Sequence, residues 1–299
     1  MFVIQGGTRL RGEVKISGAK NAALPIMAAC LLTNEECVIR SVPDLADTRH
    51  LITLLESLGA RVRRDESDAL HIKVEDESIS LADYESVRRM RASICVLGPL
   101  LARRGKAEVS MPGGCAIGDR PVNLHLRGME ALGAKIHLDG GNIITESQRL
   151  QGTDIFLGGP FGSTVLGTAN VMTAACLAQG RTVIEAAACE PEVIDLGDFL
   201  NSMGAKVSGH GTPRIIVEGV DELHGTDYEI IPDRIEAGTF MIAAAITNGE
   251  LILKGCRTEH LMALIDRLNL IGVEIERIDK DDTVRVSSAR RLNPVDITT

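Results

Sequence analysis

A glycine-rich loop carries the most reactive residue pattern in this sequence. Residues 112–121 read Pro-Gly-Gly-Cys-Ala-Ile-Gly-Asp-Arg-Pro, and the glycines predict a loop that a ligand can approach closely. Within this loop Cys115 stands five residues before Arg120. A nearby guanidinium favours the thiolate or holds an anion beside it, so a reactive thiol is one interpretation and an inert loop thiol is the other.

Polar or basic residues also stand directly before three Ala-rich apolar segments. Lys20 and Asn21 open the first segment, Arg91 the second, and Ser163 and Thr164 come just before the third. A helix N-terminus presents unpaired N–H groups and a partial positive charge, so such residues can complete an anion site there. Taken singly, each could equally be a solvated surface charge or a plain N-cap.

Four copies of a unit of about 70 residues must position these groups. A Leu-Gly-Ala-like signature closes each amphipathic segment, and its glycines lie 74, 71 and 68 residues apart, at Gly59, Gly133, Gly204 and Gly272. Each unit reads as an Ala-rich helix buried on every face, a strand, an amphipathic helix ending at the glycine, and a strand pair. This pattern predicts an α/β fold with helices inside and sheets outside.

Composition narrows the class of protein. The chain has 299 residues, a net charge of −9, two Tyr, five Phe and no Trp, which argues against a nucleic-acid partner. The longest apolar stretch is about half of what a membrane span needs, and the N-terminus has no export signal, so we expect a cytoplasmic protein. Seven cysteines without paired spacing predict neither disulfides nor a zinc site, and Cys30, Cys95 and Cys176 read as core residues.

Several longer motifs resemble one enzyme family. They are Ser17–Pro25, Met90–Ile94, Pro112–Gly118 with Arg120–Val122, Glu190–Glu192 and Pro232–Thr239. In this order they resemble the UDP-N-acetylglucosamine 1-carboxyvinyltransferases, enolpyruvyl transferases of the first committed step of peptidoglycan synthesis. The resemblance implies an inside-out α/β barrel with three-fold pseudo-symmetry in each of two domains. It also implies a role in cell wall biogenesis, cell shape and division, and sensitivity to fosfomycin.

The resemblance assigns roles only where the motifs match. Lys20 and Asn21 would contact phosphoenolpyruvate, and Lys20 would take part in catalysis. Arg91 and Arg120 would hold phosphate or the nucleotide sugar, and Cys115 would protonate phosphoenolpyruvate, form a covalent adduct with it and react with fosfomycin. The uridine site would be lined by Arg120, Pro121, Val122, Asn123 and Leu124. No metal and no other cofactor is implied.

The sequence departs from the family pattern in two places. The family often has a basic residue before the third buried helix, where this chain has none, so we expect backbone N–H groups, Ser163 and Thr164 to replace it. The family implies six repeats, whereas this chain has four, and the motif with the catalytic Asp is expected just beyond Thr299. We therefore predict a complete domain I at 20–232 and an incomplete domain II at 1–19 plus 233–299, with the Ala237–Ile246 helix partly uncovered.

Three functions remain open from the sequence. The first is enolpyruvyl transfer to UDP-N-acetylglucosamine. The second is the related transfer to 3-phosphoshikimate, for which the Pro-Gly-Gly-Cys loop is not expected. The third is binding of the nucleotide sugar without turnover. In each case we expect small-molecule partners and a monomer.

Overall fold

The computed structural model describes residues 3, 5–87, 90–111, 122–160, 162–278, 282–288 and 291–297. The chain divides into two compact units. The larger unit is Lys20–Ile231, and the smaller unit combines Met1–Ala19 with Pro232–Thr299.

Each repeat consists of a short first strand, a central helix, a second strand, an amphipathic helix and a strand pair. The first repeat contains β1 (Arg11–Lys15), α1 (Lys20–Ala29), β2 (Cys37–Arg40), α2 (Ala46–Ser57), β3 (Ala60–Arg64) and β4 (Leu70–Val74). The second contains β5 (Leu81–Ala82), α3 (Tyr84–Val87), a 3₁₀ helix (Arg91–Val96) that continues as α4 (Leu97–Arg104), β6 (Lys106–Ser110), α5 (Asn123–Ala131), β7 (Lys135–Asp139) and β8 (Asn142–Glu146). The third contains β9 (Asp154–Phe156), α6 (Val165–Ala175), β10 (Arg181–Glu185), α7 (Pro191–Ser202), β11 (Lys206–Ser208) and β12 (Arg214–Glu218). The fourth contains β13 (Asp227–Glu229), α8 (Arg234–Ile246), β14 (Glu250–Lys254), α9 (Met262–Ile271), β15 (Glu274–Arg277) and β16 (Val284–Ser287).

The strands form four sheets with one shared topology. Their strand orders are β5-β6-β8-β7, β9-β10-β12-β11, β13-β2-β4-β3 and β1-β14-β16-β15. In every sheet the first pair is parallel and the other two pairs are antiparallel. The first strands of the first and fourth repeats pair outside their own repeat. β1 precedes α1 in the chain but pairs with β14, and β13 precedes α8 but pairs with β2.

The predicted interior helices form the core of the larger unit. Residues Ala22–Ala29 of α1, Leu97–Leu101 of α4 and Gly167–Ala175 of α6 are buried. Gly98 allows α4 and α6 to pack closely, because a Cβ atom there would lie 2.3 Å from the backbone oxygen of Asn170. The inside-out arrangement expected from the sequence is therefore confirmed: apolar helices pack together and sheets cover them.

The closing glycines behave as predicted. Gly59, Gly133, Gly204 and Gly272 have φ values of +87°, +91°, +99° and +96°. These are left-handed conformations, which end a helix without the steric cost that a Cβ atom would bring. Each glycine turns the chain from an amphipathic helix into the strand that follows it.

Two details differ from the prediction. The second interior helix opens as a 3₁₀ helix over Arg91–Val96 rather than as an α-helix. The sequence reading also missed the first strand of every repeat, which has 5, 2, 3 and 3 residues in β1, β5, β9 and β13. The two or three residues of β5, β9 and β13 show too few alternations to be recognised by periodicity.

Candidate active site

Lys20 begins α1 and contacts an acidic neighbour that the sequence analysis did not identify. Its Nζ lies 2.9 Å from Oδ2 of Asp47, in the first turn of α2, and the two side chains are 37% and 36% exposed. Asn21 follows Lys20 at an exposed position. The ion pair holds the ammonium near the start of α1, where a helix also favours an anion.

Arg91 begins the 3₁₀ helix and is half-buried. Burial and, to a smaller extent, the positive charge of Arg91 together lower the pKa of His125 to about 4. His125 lies in α5 directly after Leu124, so Arg91 is close to the residues predicted to line the uridine site. The imidazole is therefore neutral near pH 7.

A buried amide fixes the tautomer of this histidine. Asn170 of α6 accepts a hydrogen bond from the backbone N–H of Gly98 at 2.9 Å through Oδ1. Its Nδ2 group donates to the backbone oxygen of Ile94 at 2.8 Å and lies 2.8 Å from Nδ1 of His125. Because Nδ2 can only donate, Nδ1 must accept and the ring proton belongs on Nε2. Asn170 of α6 is thus linked by hydrogen bonds to α4 and to α5.

The start of α5 also meets the loop before α6. Val122 is buried, Asn123 is exposed and begins α5, and Leu124 is half-buried. A Cβ atom on Gly159 would lie 3.1 Å from Cδ1 of Leu124. The structure therefore brings together the predicted uridine segment and the predicted diphosphate segment.

Part of that loop is already engaged in its own hydrogen bonds. The N–H groups of Gly159 and Gly162 donate to each other's carbonyl oxygens, at 2.9 and 3.1 Å. Thr164 is the N-cap of α6, since its Oγ1 accepts a hydrogen bond from the N–H of Gly167 at 3.1 Å. Ser163 is exposed. Fewer donors are available here than the sequence analysis expected, although the Thr164 hydroxyl can still donate its proton.

A basic residue that the sequence analysis did not single out reaches the same loop. Arg127 of α5 donates through Nη1 to the carbonyl oxygen of Gly158 at 3.1 Å. One turn of helix separates Arg127 from Leu124, and this spacing from the predicted uridine segment was the signal that could have identified it.

The loop residues Cys115, Arg120 and Pro121 lie outside the part of the chain that the structure describes. Of the described cysteines, Cys30, Cys95 and Cys176 are buried as predicted, and burial raises the pKa of Cys95 and Cys176 to about 12. Cys189, which the sequence analysis did not discuss, is exposed.

No group of three or more His, Cys, Asp or Glu side chains able to hold a metal ion is found among the described residues. In the same part of the chain, no helix has the length and apolar character required to cross a membrane.

Comparison with known proteins identifies the family. The EPSP synthase (3-phosphoshikimate 1-carboxyvinyltransferase) family model matches residues 4–299. The chain is 52% identical over its full length to a UDP-N-acetylglucosamine 1-carboxyvinyltransferase of Methylacidiphilum infernorum and covers 70% of that protein. It is 49% identical to a protein of that name from Akkermansia muciniphila, with 97% of this chain and 68% of the relative aligned.

Solved structures support the same fold. The enolpyruvyl transferase NikO of Streptomyces tendae superposes with a TM-score of 0.84 at 23% identity, covering 97% of this chain and 69% of NikO. EPSP synthase of Acinetobacter baumannii gives a TM-score of 0.73 at 17% identity over 95% of this chain and 66% of that enzyme. The chain therefore belongs to the EPSP synthase family of enolpyruvyl transferases, among the UDP-N-acetylglucosamine 1-carboxyvinyltransferases.

Proposed function

We propose that this protein transfers the enolpyruvyl group of phosphoenolpyruvate to the 3-hydroxyl of UDP-N-acetylglucosamine and releases inorganic phosphate. The observation that carries this proposal is the 52% identity over the whole chain to a relative named for that reaction. The reaction belongs to peptidoglycan synthesis, which needs both substrates as soluble small molecules. A cytoplasmic location, action as a monomer and inhibition by fosfomycin are part of the same proposal.

The chemistry requires an acid, a base and a set of cations. Protonation of the phosphoenolpyruvate methylene carbon makes the adjacent carbon cationic, and the sugar hydroxyl attacks that carbon while a base takes the hydroxyl proton. The methyl group then returns a proton, the double bond re-forms and the carbon–oxygen bond to phosphate breaks. A positioned thiol such as Cys115 suits the proton transfers, and cationic groups stabilise the phosphate throughout.

The described part of the site supports different binding roles for the residues at different helix starts. Lys20 and Asn21, at the start of α1, would bind phosphoenolpyruvate, and Asp47 would hold the Lys20 ammonium in place. Arg91 would face the phosphate or the nucleotide sugar. Val122, Asn123 and Leu124 would contact the uridine together with Arg120 and Pro121.

Arg127 is the best candidate for the positive charge that the segment before α6 lacks. Its guanidinium lies within hydrogen-bond distance of that segment at Gly158. Together with Ser163 and the hydroxyl of Thr164, it would bind the diphosphate of the nucleotide sugar.

Phosphate release provides the test of the reaction. The chain is incubated with phosphoenolpyruvate and either UDP-N-acetylglucosamine or 3-phosphoshikimate. We expect release with the nucleotide sugar alone, and a loss of at least about tenfold in the Cys115→Ser variant. The matched control is Cys189→Ser, which removes an exposed thiol outside the glycine-rich loop and should leave the rate unchanged. Release with 3-phosphoshikimate instead, or equal rates in both variants, would contradict the proposal.

Calorimetry separates transfer from binding alone. Saturable binding of UDP-N-acetylglucosamine without any phosphate release would favour the binding-only function. The Arg127→Gln variant should then bind the nucleotide sugar about tenfold more weakly than the parent chain, since one charge-assisted hydrogen bond is lost.

A further inference from the structure

A basic cavity lies in the larger unit at the end of α4, away from the proposed active site. The cavity has a volume of about 470 Å³ and is lined by Arg103, Arg104 and Arg149, together with the polar Ser147 and Gln148. Leu101, Leu150, Leu177 and Val220 supply an apolar part of the wall. Pockets of this size and mixed lining hold small metabolites.

A second open cavity continues from the first. Its volume is about 830 Å³, and it shares Arg104, Ser147 and Arg149 with the first while adding Lys106 and Lys135. A backbone hydrogen bond links two parts of the cavity wall, because the N–H of Ser147 donates to the carbonyl oxygen of Gly105 at 2.9 Å. The two cavities thus form one continuous groove, which we call the α4-end groove.

Positive charge exceeds negative charge around this groove. Three of its cations have carboxylate partners: Arg103 with Glu77 at 2.9 Å, Lys106 with Glu146 at 3.1 Å and Arg149 with Asp221 at 3.2 Å. No carboxylate lies within ion-pair distance of Arg104 or Lys135 among the described residues. The Arg149 pair is weak, because Asp221 is 96% exposed and the two charges are largely screened by water.

The guanidinium of Arg104 has more hydrogen-bond donors than acceptors around it. Its Nη1 donates to the backbone oxygen of Ile79, whereas Nε and Nη2 are buried and have no hydrogen-bond partner in the described part of the chain. Burial lowers the pKa of this guanidinium and the carboxylates of Glu77 and Asp76 oppose that shift, so Arg104 remains charged at neutral pH. Unpaired buried N–H groups on a cation are costly, and the charge of Arg104 beside the groove favours an anion there.

Capping of α4 explains only part of this charge. Arg103 and Arg104 lie in the last turn of α4, where a helix attracts cations with about half an elementary charge. Lys106, Lys135 and Arg149 come from strands β6 and β7 and from the segment after β8, so the helix does not account for them.

We infer that the α4-end groove is a binding site for a small polyanion, a phosphate ester or a polycarboxylate, distinct from the proposed active site. Arg91 and Arg104 lie at opposite ends of one helical run, which separates them by about 20 Å. The assignment rests on the groove itself and does not depend on the reaction that the chain catalyses.

Calorimetry with pyrophosphate and with citrate tests the assignment, at an ionic strength matched with sodium chloride. We expect at least one of the two to bind saturably to the chain, and the tighter of them identifies the ligand as a phosphate or a carboxylate. Binding should weaken at least about tenfold in the double variant Lys135→Gln with Arg149→Gln, because both exposed side chains lose a charge-assisted hydrogen bond.

Two controls locate the site. The double variant Arg61→Gln with Lys73→Gln removes the same charge from exposed positions on β3 and β4 and should leave binding unchanged. The Arg91→Gln variant should also retain binding. The inference is overturned if neither polyanion binds above the chloride control, if Lys135→Gln with Arg149→Gln binds normally, or if only Arg91→Gln abolishes binding.

Discussion

Two helices with the same sequence character have different surroundings in the two units. In the larger unit α6 is buried from Gly167 to Ala175, and its Asn170 amide connects to α4 and α5. In the smaller unit α8 is equally Ala-rich, yet Ile235, Ile242 and Ile246 are 53%, 44% and 71% exposed. Burial of such a helix therefore depends on how many repeats surround it, as well as on its own sequence.

The packing around each helix accounts for the difference. α6 contacts α4, α5, α7 and α1, so every face meets another helix or a sheet. The core of the smaller unit instead lies on one side of α8, where Ala237, Met241, Ala244 and Ala245 face β14 and β16. A helix that is apolar on every face is hence fully stabilised only in the larger unit.

The largest effect is expected at the buried amide of α6. Asn170→Ala leaves the Gly98 N–H, the Ile94 carbonyl and Nδ1 of His125 without their partner, and opens a cavity between α4 and α6. We expect a loss of about 3–5 kcal/mol in the free energy of unfolding, measured by urea denaturation. Thr239→Ala on exposed α8 is the matched change and should cost less than about 1 kcal/mol. Equal losses would show that the two helices are not in different environments.

Acid should destabilise the larger unit through His125. The folded state holds its pKa at about 4, below the ordinary value of 6.5, so the unfolded chain binds more protons between these pH values. The stability contributed by the neutral ring is complete above about pH 6.5 and is lost as the pH falls towards 4, by about 3 kcal/mol in all. His125→Gln should remove this part of the pH dependence. An unchanged slope in the variant would contradict a buried neutral histidine.

Removal of the N-cap side chain of α6 or of α8 should lower the free energy of unfolding by a smaller amount, similar in both units. Thr164 accepts one backbone hydrogen bond, and Asp233 accepts two, from the N–H groups of Ile235 at 2.7 Å and Glu236 at 3.0 Å. We expect Thr164→Ala and Asp233→Ala each to cost about 1–2 kcal/mol in urea denaturation. A loss of stability at only one of the two caps would mean that the two units also differ in how much their helix N-caps contribute to stability.

The smallest effect on stability is expected on the exposed face of α8. Ile246→Ser should change the free energy of unfolding by less than about 0.5 kcal/mol, because the side chain is 71% exposed. The matched change Met172→Ser, in the buried part of α6, should cost about 3 kcal/mol. A cost above about 2 kcal/mol for Ile246→Ser would show that this face of α8 is covered in solution.

Much of this architecture could be predicted from the sequence, because its signals are local. The repeat, the left-handed glycines and the interior helices follow from periodicity and from residue types at fixed spacing. The first strands could not be predicted, because β5 has only two residues and its pairing with β6 is determined by the sheet.

Part of the candidate site could be proposed from the sequence for the same reason. Lys20, Arg91 and Thr164 are predicted site residues because of their positions at helix starts. Asp47 and Asn170 are not, because their partners lie 27 residues from Asp47 and up to 76 residues from Asn170 along the chain. Only folding brings them together, and single-sequence patterns carry no signal at such distances.

The identity of the product tests the central claim most directly. The chain is incubated with phosphoenolpyruvate, UDP-N-acetylglucosamine and 3-phosphoshikimate together, and both acceptors are analysed by mass spectrometry. We predict that the nucleotide sugar gains an enolpyruvyl ether while 3-phosphoshikimate is recovered unchanged. An enolpyruvyl ether on 3-phosphoshikimate with the nucleotide sugar unmodified would contradict the proposed function.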